Sequence, residues 1–285
     1  MNYKPDNFNT SVLPTLCPGC GGWTIWSALK QALAEQGIQT KDLALVYGIG
    51  CFGNMTNSIK GYVFHSLHGR SLPIATGIKL ANSKLKVIAI AGDGDVYGEG
   101  LNHLINSSRA NIDIIQIVAN NHSYSLTTGQ ASPTSSLGYK SKTTPLGEVK
   151  EPLNPLALSL ESGATLVAQG YTGNLKELTQ IFKEALNHKG FSLIDIQQVC
   201  ITFNHTENAS YYAEKVKPLI KANTDIELAL KYARDKKNIN TGVLYEVNRP
   251  IYDSHFNHLG NKTLLGQVTS PNSQLINGFI KELSI

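Results

Sequence analysis

Apolar runs that predict buried strands alternate with helix-like stretches along most of this chain, and this alternation constrains the fold more than any other feature. The predicted strands are residues 43–47, 87–91, 112–119, 164–168 and 191–199. The predicted helices are residues 23–36, 72–80, 101–109 and 174–187. Strands separated by helices form βαβ units, so we predict an α/β fold with a parallel sheet and helices on both faces.

Two regions lack this alternation. Residues 123–155 are rich in Thr, Ser, Gly and Pro and are predicted to be a loop. From residue 202 to residue 285 the pattern loosens into a polar helix near 226–236, a strand at 242–247 and an irregular tail. We therefore predict one α/β domain over residues 1–201 and a C-terminal extension, residues 202–285, that packs on the same domain.

Composition excludes several classes of protein. The 285 residues are 41% apolar and 16% charged, which is enough apolar material to fill a core and excludes a disordered chain. A net charge of +4 and the small number of arginines argue against nucleic acid as a partner. No apolar run approaches the about 20 residues that span a membrane, and residues 1–7 lack the apolar segment of a signal peptide. We therefore expect a soluble, cytoplasmic protein.

Polar turns follow two successive predicted strands and suggest a cofactor site. The turn at 92–95 reads Gly-Asp-Gly-Asp, and the pair at 120–121 reads Asn-Asn. The carboxyl ends of parallel strands form a crevice where ligands bind, and glycines there let the backbone approach a diphosphate. Asp93 and Asn121 offer the hard oxygen ligands that Mg²⁺ prefers. The combination favours a magnesium–diphosphate site over a solvated Gly-Asp turn beside an Asn-rich turn.

The four cysteines, Cys17, Cys20, Cys51 and Cys200, suggest metal or redox chemistry. An even count in a large chain without a secretion signal argues against a disulfide framework. Spacing alone leaves three kinds of site open, namely an iron–sulfur cluster, a structural zinc site and a thioredoxin-like dithiol. Zinc sites usually show two local cysteine pairs, whereas this chain has one, and a dithiol would leave Cys51 and Cys200 unexplained.

Two further patterns need interpretation. Residues 48–53, Gly-Ile-Gly-Cys-Phe-Gly, fit the glycine pattern of a dinucleotide-binding loop, but such a site needs an acidic residue about twenty positions later, and none is present. We interpret these glycines as shaping a loop that presents Cys51. His65, His68 and Arg70 lie in one glycine-flanked stretch, where one of them is expected to contact an anion.

Taken together, these motifs resemble one family. The chain carries, in order, Gly-Ile-Gly-Cys at 48–51, Phe-His-Ser-Leu-His-Gly-Arg at 64–70, the Gly-Asp-Gly-Asp turn, Leu-Thr-Thr-Gly-Gln-Ala-Ser-Pro-Thr at 126–134 and Cys-Ile-Thr-Phe-Asn at 200–204. It resembles the β subunit of 2-oxoacid:ferredoxin oxidoreductases, such as the 2-oxoglutarate and pyruvate enzymes, over about residues 16–250. The resemblance implies the thiamine diphosphate-binding fold.

The resemblance also implies an activity and its cofactors. The activity is oxidative decarboxylation of a 2-oxoacid with coenzyme A to acyl-CoA and CO₂, with electrons passing through a [4Fe-4S] cluster to ferredoxin. The cofactors are thiamine diphosphate, Mg²⁺ and that cluster. Thiamine enzymes need a second α/β domain with a glutamate that activates the aminopyrimidine. This chain has room for one such domain, so an α subunit is expected as an obligatory partner.

The resemblance implies a site residue by residue. Mg²⁺ would be held by Asp93, Asn121 and the carbonyl oxygen of Ser123. The cluster would be held by Cys17, Cys20, Cys51 and Cys200. Thiamine diphosphate would be lined by Ile49, Gly50, Cys51, Phe52, His68, Gly94, Asp95, Ser125 and Leu126. His68 is also the implied catalytic residue.

Departures from the family pattern fall where substrate is expected to bind. Relatives usually carry Tyr-Gly-Leu-Thr-Lys-Gly-Gln at the positions that correspond to residues 124–130. In this chain Ser125 replaces the first glycine of that pattern, and Thr128 replaces the lysine. The identity of the 2-oxoacid therefore stays open. Two alternatives to the oxidoreductase also stay open, a non-oxidative thiamine-dependent decarboxylase or synthase subunit and a zinc-stabilised binding module.

Overall fold

The structure is a computed structural model that describes residues 3–256, 263–266 and 272–283. The described residues form an eight-stranded sheet and a separate two-stranded hairpin. The strands are β1 (Leu43–Tyr47), β2 (Tyr62–His65), β3 (Lys86–Gly92), β4 (Ile115–Asn120), β5 (Ser123–Tyr124), β6 (Gln130–Ala131), β7 (Leu166–Tyr171), β8 (Ser192–Gln197), β9 (Val216–Pro218) and β10 (Ile239–Glu246). The α-helices are α1 (Gly22–Glu35), α2 (Ser71–Ala81), α3 (Leu101–Ala110), α4 (Pro155–Glu161), α5 (Leu175–Asn187), α6 (Ala209–Lys215), α7 (Ile226–Ala233) and α8 (Ser273–Leu283).

Each face of the large sheet has its own apolar core. In β1, Leu43, Leu45 and Tyr47 belong to one core, and Ala44 and Val46 belong to the other. Helices α1 and α5 cover the first face, and α2, α3, α4 and α7 cover the second. Because the central strands are buried on both sides, they appear in the sequence as continuous apolar runs, which is why periodicity identified them.

The strand order is β2-β1-β3-β4-β8-β7-β10-β9, and all pairs but one are parallel. Strand β10 runs antiparallel to β7, with an irregularity between Val243 and Tyr245. Among the described strands, the predicted parallel arrangement therefore holds for every pair of this sheet except β10 and β7. A single crossover helix makes successive strands parallel, but residues 198–238, between β8 and β10, contain α6, β9 and α7.

Several short elements differ from the sequence prediction. Strand β2 was not predicted, because it lies at the edge of the sheet and its side chains are largely exposed. The predicted loop at 123–155 contains the hairpin β5–β6, and α4 begins at its end, where Asn154 caps the helix. The predicted irregular tail contains α8.

The C-terminal extension contributes to the large sheet through β9 and β10. Its residues 257–262, 267–271 and 284–285 lie outside the described part, and the boundary at residue 201 stays a prediction. Among the described residues, no helix is both long enough and apolar enough to cross a bilayer.

Candidate cofactor and cluster site

The loops after β1, β2, β3, β4 and β8 meet at the carboxyl edge of the sheet, because these strands are parallel. Two cavities lie there. One, of about 90 Å³, is lined by all of the residues that the resemblance implied for thiamine diphosphate and Mg²⁺. The other, of about 130 Å³, is lined by all four cysteines. The two cavities share the side chains of Cys51, Asn121, Ser125 and Leu126.

Asp93 is buried where β3 ends, and two hydroxyls fix its orientation. Its Oδ2 accepts hydrogen bonds from Ser132 Oγ at 2.5 Å and Thr134 Oγ1 at 2.9 Å. Burial raises the pKa of Asp93 because it disfavours the charged carboxylate, and a bound cation would offset this cost. Metal-binding carboxylates are commonly held by such outer hydrogen bonds, so the arrangement fits a magnesium ligand.

Asn121 follows β4, beside Asp93, and is also buried. Its Oδ1 accepts from the backbone N–H of Ser123 at 3.2 Å and lies 3.1 Å from the Ser125 hydroxyl. Carboxylate, amide and carbonyl oxygens at two neighbouring strand ends make the hard donor set that Mg²⁺ prefers. Within the described residues, no three His, Cys, Asp or Glu side chains converge as a single-ion site.

Asp95 connects two of the loops that line the first cavity. Its Oδ2 accepts from the backbone N–H of Ile49 at 2.7 Å. Burial raises its pKa, and Oδ1 is buried without a hydrogen-bond partner among the described residues. A Cβ at Gly48 would lie 2.8 Å from the Asp95 carboxylate oxygens, so glycine is needed for this close approach.

His68 lines the first cavity, and an acidic residue that sequence reasoning missed lies against it. The Nδ1 atom of His68 is 2.8 Å from Glu99 Oε2, at the end of a π-helical turn over residues 94–99. The His68 ring also stacks on Tyr124, with ring centroids 6.1 Å apart. A carboxylate on Nδ1 holds the imidazole in one orientation and leaves Nε2 available for other contacts.

The other basic residues of this stretch occupy different positions. Arg70 donates to the Glu99 carbonyl oxygen at 3.3 Å and lies 3.3 Å from His103 Nε2. The His65 ring lies beside Gly53. Neither Arg70 nor His65 lines the first cavity, so His68 is the member of the stretch best placed to contact a ligand there.

The four thiols come from three separate parts of the chain. Cys17 is exposed, Cys20 and Cys51 are partly buried, and Cys200 is buried. Burial raises the pKa of Cys51 to about 12 and also raises that of Cys20, and a bound metal group of positive charge would favour the thiolate form of both. Four soft donors around one cavity fit an iron–sulfur cluster.

Three comparisons with known proteins bear on this geometry. Residues 48–196 match the family described as "Thiamine pyrophosphate enzyme, C-terminal TPP binding domain", and residues 200–261 match the C-terminal family of the "Pyruvate ferredoxin oxidoreductase beta subunit". The 2-oxoacid:ferredoxin oxidoreductase subunit beta of Saccharolobus solfataricus is 46% identical over 202 residues, which are 70% of this chain and 66% of that relative. Subunit beta of 2-oxoacid:ferredoxin oxidoreductase 1 of Aeropyrum pernix is 36% identical over 279 residues, which are 93% and 87% of the two chains.

A solved structure agrees with these relatives. It is the 2-oxoglutarate:ferredoxin oxidoreductase of Magnetococcus marinus with 2-oxoglutarate, coenzyme A and succinyl-CoA bound. The TM-score is 0.91 at 34% identity, over 97% of this chain and 96% of that one. This chain belongs to the β subunits of the 2-oxoacid:ferredoxin oxidoreductases. The family and the fold class predicted from the sequence are thereby confirmed, and a β subunit implies at least one partner subunit.

In this β subunit, residues without an assigned role form a buried polar network behind Asp93 and Asn121. Asp195 Oδ1 accepts from the Tyr97 hydroxyl at 2.6 Å and from Asn120 Nδ2 at 3.1 Å. The two ring nitrogens of His122 each lie 2.8 Å from a partner, the Thr134 carbonyl oxygen and Gln197 Oε1. These contacts join β4, β8 and the loop after β6, and so support the loop that carries Asn121.

The two departures from the usual pattern of these β subunits occupy different positions relative to the site. Ser125 lines both cavities, whereas Thr128 is exposed and lines neither. Thr128 has a φ of 81°, a conformation that β-branched residues rarely adopt. A larger cleft of about 790 Å³ lies between α5 and residues 218–222, and no residue of the implied site lines it.

Proposed function

We propose that this β subunit, together with an α subunit, oxidises a 2-oxoacid and coenzyme A to acyl-CoA and CO₂ and passes the electrons through a [4Fe-4S] cluster to ferredoxin in the cytoplasm. The 2-oxoacid that we favour is 2-oxoglutarate, because the Magnetococcus marinus structure holds it. The main support is the shared wall of the two cavities. Cys51 lines both, so electrons would have a short path from the cofactor to the cluster.

The residues of this chain would bind and orient the cofactors. Asp93, Asn121 and the carbonyl oxygen of Ser123 would hold Mg²⁺, and Ser132 with Thr134 would orient the Asp93 carboxylate. Thiamine diphosphate, when bound, supplies the carbon nucleophile and the electron sink for decarboxylation. The His68 imidazole would contact an anionic group of the cofactor or the substrate through Nε2, because Glu99 engages Nδ1.

The size of the first cavity supports a two-subunit site. Complete cofactor pockets occupy roughly 300–1,000 Å³, whereas this cavity measures about 90 Å³. Large apolar side chains are exposed in the adjoining loops, among them Leu67 at 77%, Leu126 at 48% and Ile201 at 46%. An apolar surface beside an incomplete pocket is expected where a partner protein packs against it.

The proposal is tested on the complex of both subunits, purified without oxygen. We expect a broad visible absorbance band that dithionite bleaches, and that a 2-oxoacid with coenzyme A also bleaches. A colourless, zinc-containing complex would favour the binding module. A complex that releases CO₂ without reducing any acceptor would favour the non-oxidative decarboxylase. An isolated β subunit that is active alone would contradict the two-subunit site.

We predict that His68 and Glu99 act as one unit. We expect His68→Ala to lower kcat/KM about a hundredfold, the low end for a lost proton-transfer or anion-binding group. Glu99→Gln should lower kcat/KM about tenfold, since it weakens the contact that orients the ring.

The double variant, His68→Ala with Glu99→Gln, distinguishes a coupled action of the two residues from two independent effects on kcat/KM. If Glu99 acts only through His68, the double variant should be no worse than His68→Ala. The matched control is Glu161→Gln, which removes an exposed carboxylate on α4 that pairs with Arg234, and it should leave kcat/KM unchanged. Losses that simply multiply in the double variant would contradict the prediction.

A further inference from the structure

We propose that Gln198 sets the reduction potential of the iron–sulfur cluster, through a hydrogen bond from its side-chain amide to the Cys20 sulfur. The Nε2 atom of Gln198 lies 3.1 Å from Cys20 Sγ. The inference rests on the proposed function, because it requires that the four cysteines hold a cluster. It assigns to Gln198 a task separate from metal ligation.

Gln198 is held rigidly enough for this task. It is 1% exposed, it follows β8, and its backbone N–H donates to the Asn120 carbonyl oxygen at 2.9 Å. Its side chain lines the cysteine cavity. A buried amide with an anchored backbone keeps its donor on one sulfur, and a hydrogen bond in a low-dielectric interior is stronger than an exposed one.

The orientation of the amide group suits a metal-bound sulfur. The Oε1 atom of Gln198 is buried and has no partner among the described residues, while Nε2 faces the sulfur. A protonated thiol can donate to an amide oxygen, but a thiolate can only accept. The N–H group must therefore face a sulfur that is bound to iron, and this is the arrangement present.

Other polar groups of the described residues also approach the cysteine sulfurs, and the Gln198 contact at 3.1 Å is shorter than the three side-chain and backbone contacts that follow. The backbone N–H of Gly22 lies 3.4 Å from Cys20 Sγ, the Ser125 hydroxyl lies 3.3 Å from Cys200 Sγ, and the Thr202 hydroxyl lies 3.5 Å from Cys17 Sγ. Reduction adds negative charge to a cluster and its sulfurs, so donors to sulfur favour the reduced state and raise the potential. Removing the buried Gln198 donor should therefore make the cluster harder to reduce.

The test is a redox titration of the assembled two-subunit enzyme, followed by the electron paramagnetic resonance signal of the reduced cluster. We expect Gln198→Met, which keeps the side-chain length but lacks the donor, to lower the ratio of reduced to oxidised cluster about tenfold at a fixed potential. For a one-electron couple this corresponds to about 59 mV. The matched control, Thr202→Val, removes the longer contact at the exposed Cys17 and should produce a smaller shift.

The outcomes separate this inference from the proposed function. Wild-type enzyme without an iron–sulfur signal contradicts the proposed function. A normal signal whose potential is the same in Gln198→Met overturns the role of Gln198 alone. If Gln198→Met assembles no cluster, wild-type enzyme labelled with ¹⁵N in its glutamine side chains decides the matter. A ¹⁵N coupling to the reduced cluster is then expected, and its absence overturns the inference.

Discussion

Replacing Asp93 with alanine is expected to lower the affinity of the two-subunit enzyme for magnesium and thiamine diphosphate about a thousandfold, or about 4 kcal/mol. The substitution removes the proposed hard oxygen ligand at the end of β3. It also removes the carboxylate acceptor of the buried Ser132 hydroxyl, whereas the Thr134 hydroxyl keeps Asn120 Oδ1 as an acceptor at 2.8 Å. Calorimetric titration of the complex with the cofactor and Mg²⁺ measures the loss.

Ser132→Ala is the matched comparison for this variant. It keeps the Asp93 carboxylate and removes one of the two hydroxyls that bind Oδ2. Removal of an outer hydrogen bond to a metal ligand typically lowers metal affinity about ten- to a hundredfold. We therefore expect Ser132→Ala to lose about ten- to a hundredfold less affinity than Asp93→Ala. An Asp93→Ala enzyme that binds the cofactor as well as Ser132→Ala does would refute the assignment of Asp93 as a ligand.

The second large effect is expected from Cys200→Ala, which should remove the cluster and stop electron transfer to ferredoxin entirely. Cys200 is the most buried of the four thiols, so water is poorly placed to replace its sulfur as a ligand. Iron content, visible absorbance and ferredoxin reduction measure the loss together. Thr202→Val, two residues along the same loop, should keep all three.

The metal content of the wild-type enzyme and of Cys200→Ala also distinguishes an iron–sulfur cluster from a zinc site. An iron–sulfur enzyme should lose iron and sulfide together in the Cys200→Ala variant. A zinc module would instead lose zinc, with no change in visible absorbance. A Cys200→Ala enzyme that retains its full iron content and still reduces ferredoxin would remove Cys200 from the ligand set.

The central part of the fold could be predicted from the sequence because burial leaves a local signal. Strand β3 is buried on both faces and appears as an unbroken apolar run, and α5 shows its buried stripe at helical spacing. Strand β2 leaves no such signal, because Tyr62 and Phe64 are exposed at the edge of the sheet. The direction of β10 depends on how the chain crosses the sheet over about 40 residues, which no local pattern records.

Residues of the candidate site also differ in whether they leave a local signal in the sequence. Residues within short motifs, such as Asp93 and Asn121, could be found because chemistry and spacing coincide there. The residues that form hydrogen bonds with these motif residues could not be predicted from the sequence. Ser132 is 39 residues from Asp93, and Gln198 is 178 residues from Cys20. A serine or a glutamine is common in any sequence, so only the folded chain identifies these contacts.

The separation of the cysteines along the chain has a mechanical consequence. About 180 residues separate Cys17 from Cys200, and most of the large sheet lies between them. A cluster bound to both Cys17 and Cys200 would cross-link the chain as a disulfide does. In the chain-entropy model, a cross-link that closes a loop of about 100 residues already stabilises the folded state by roughly 5 kcal/mol, because it restricts the unfolded chain. Iron supply and oxygen exposure would then govern how much of this protein stays folded, as well as how fast it transfers electrons.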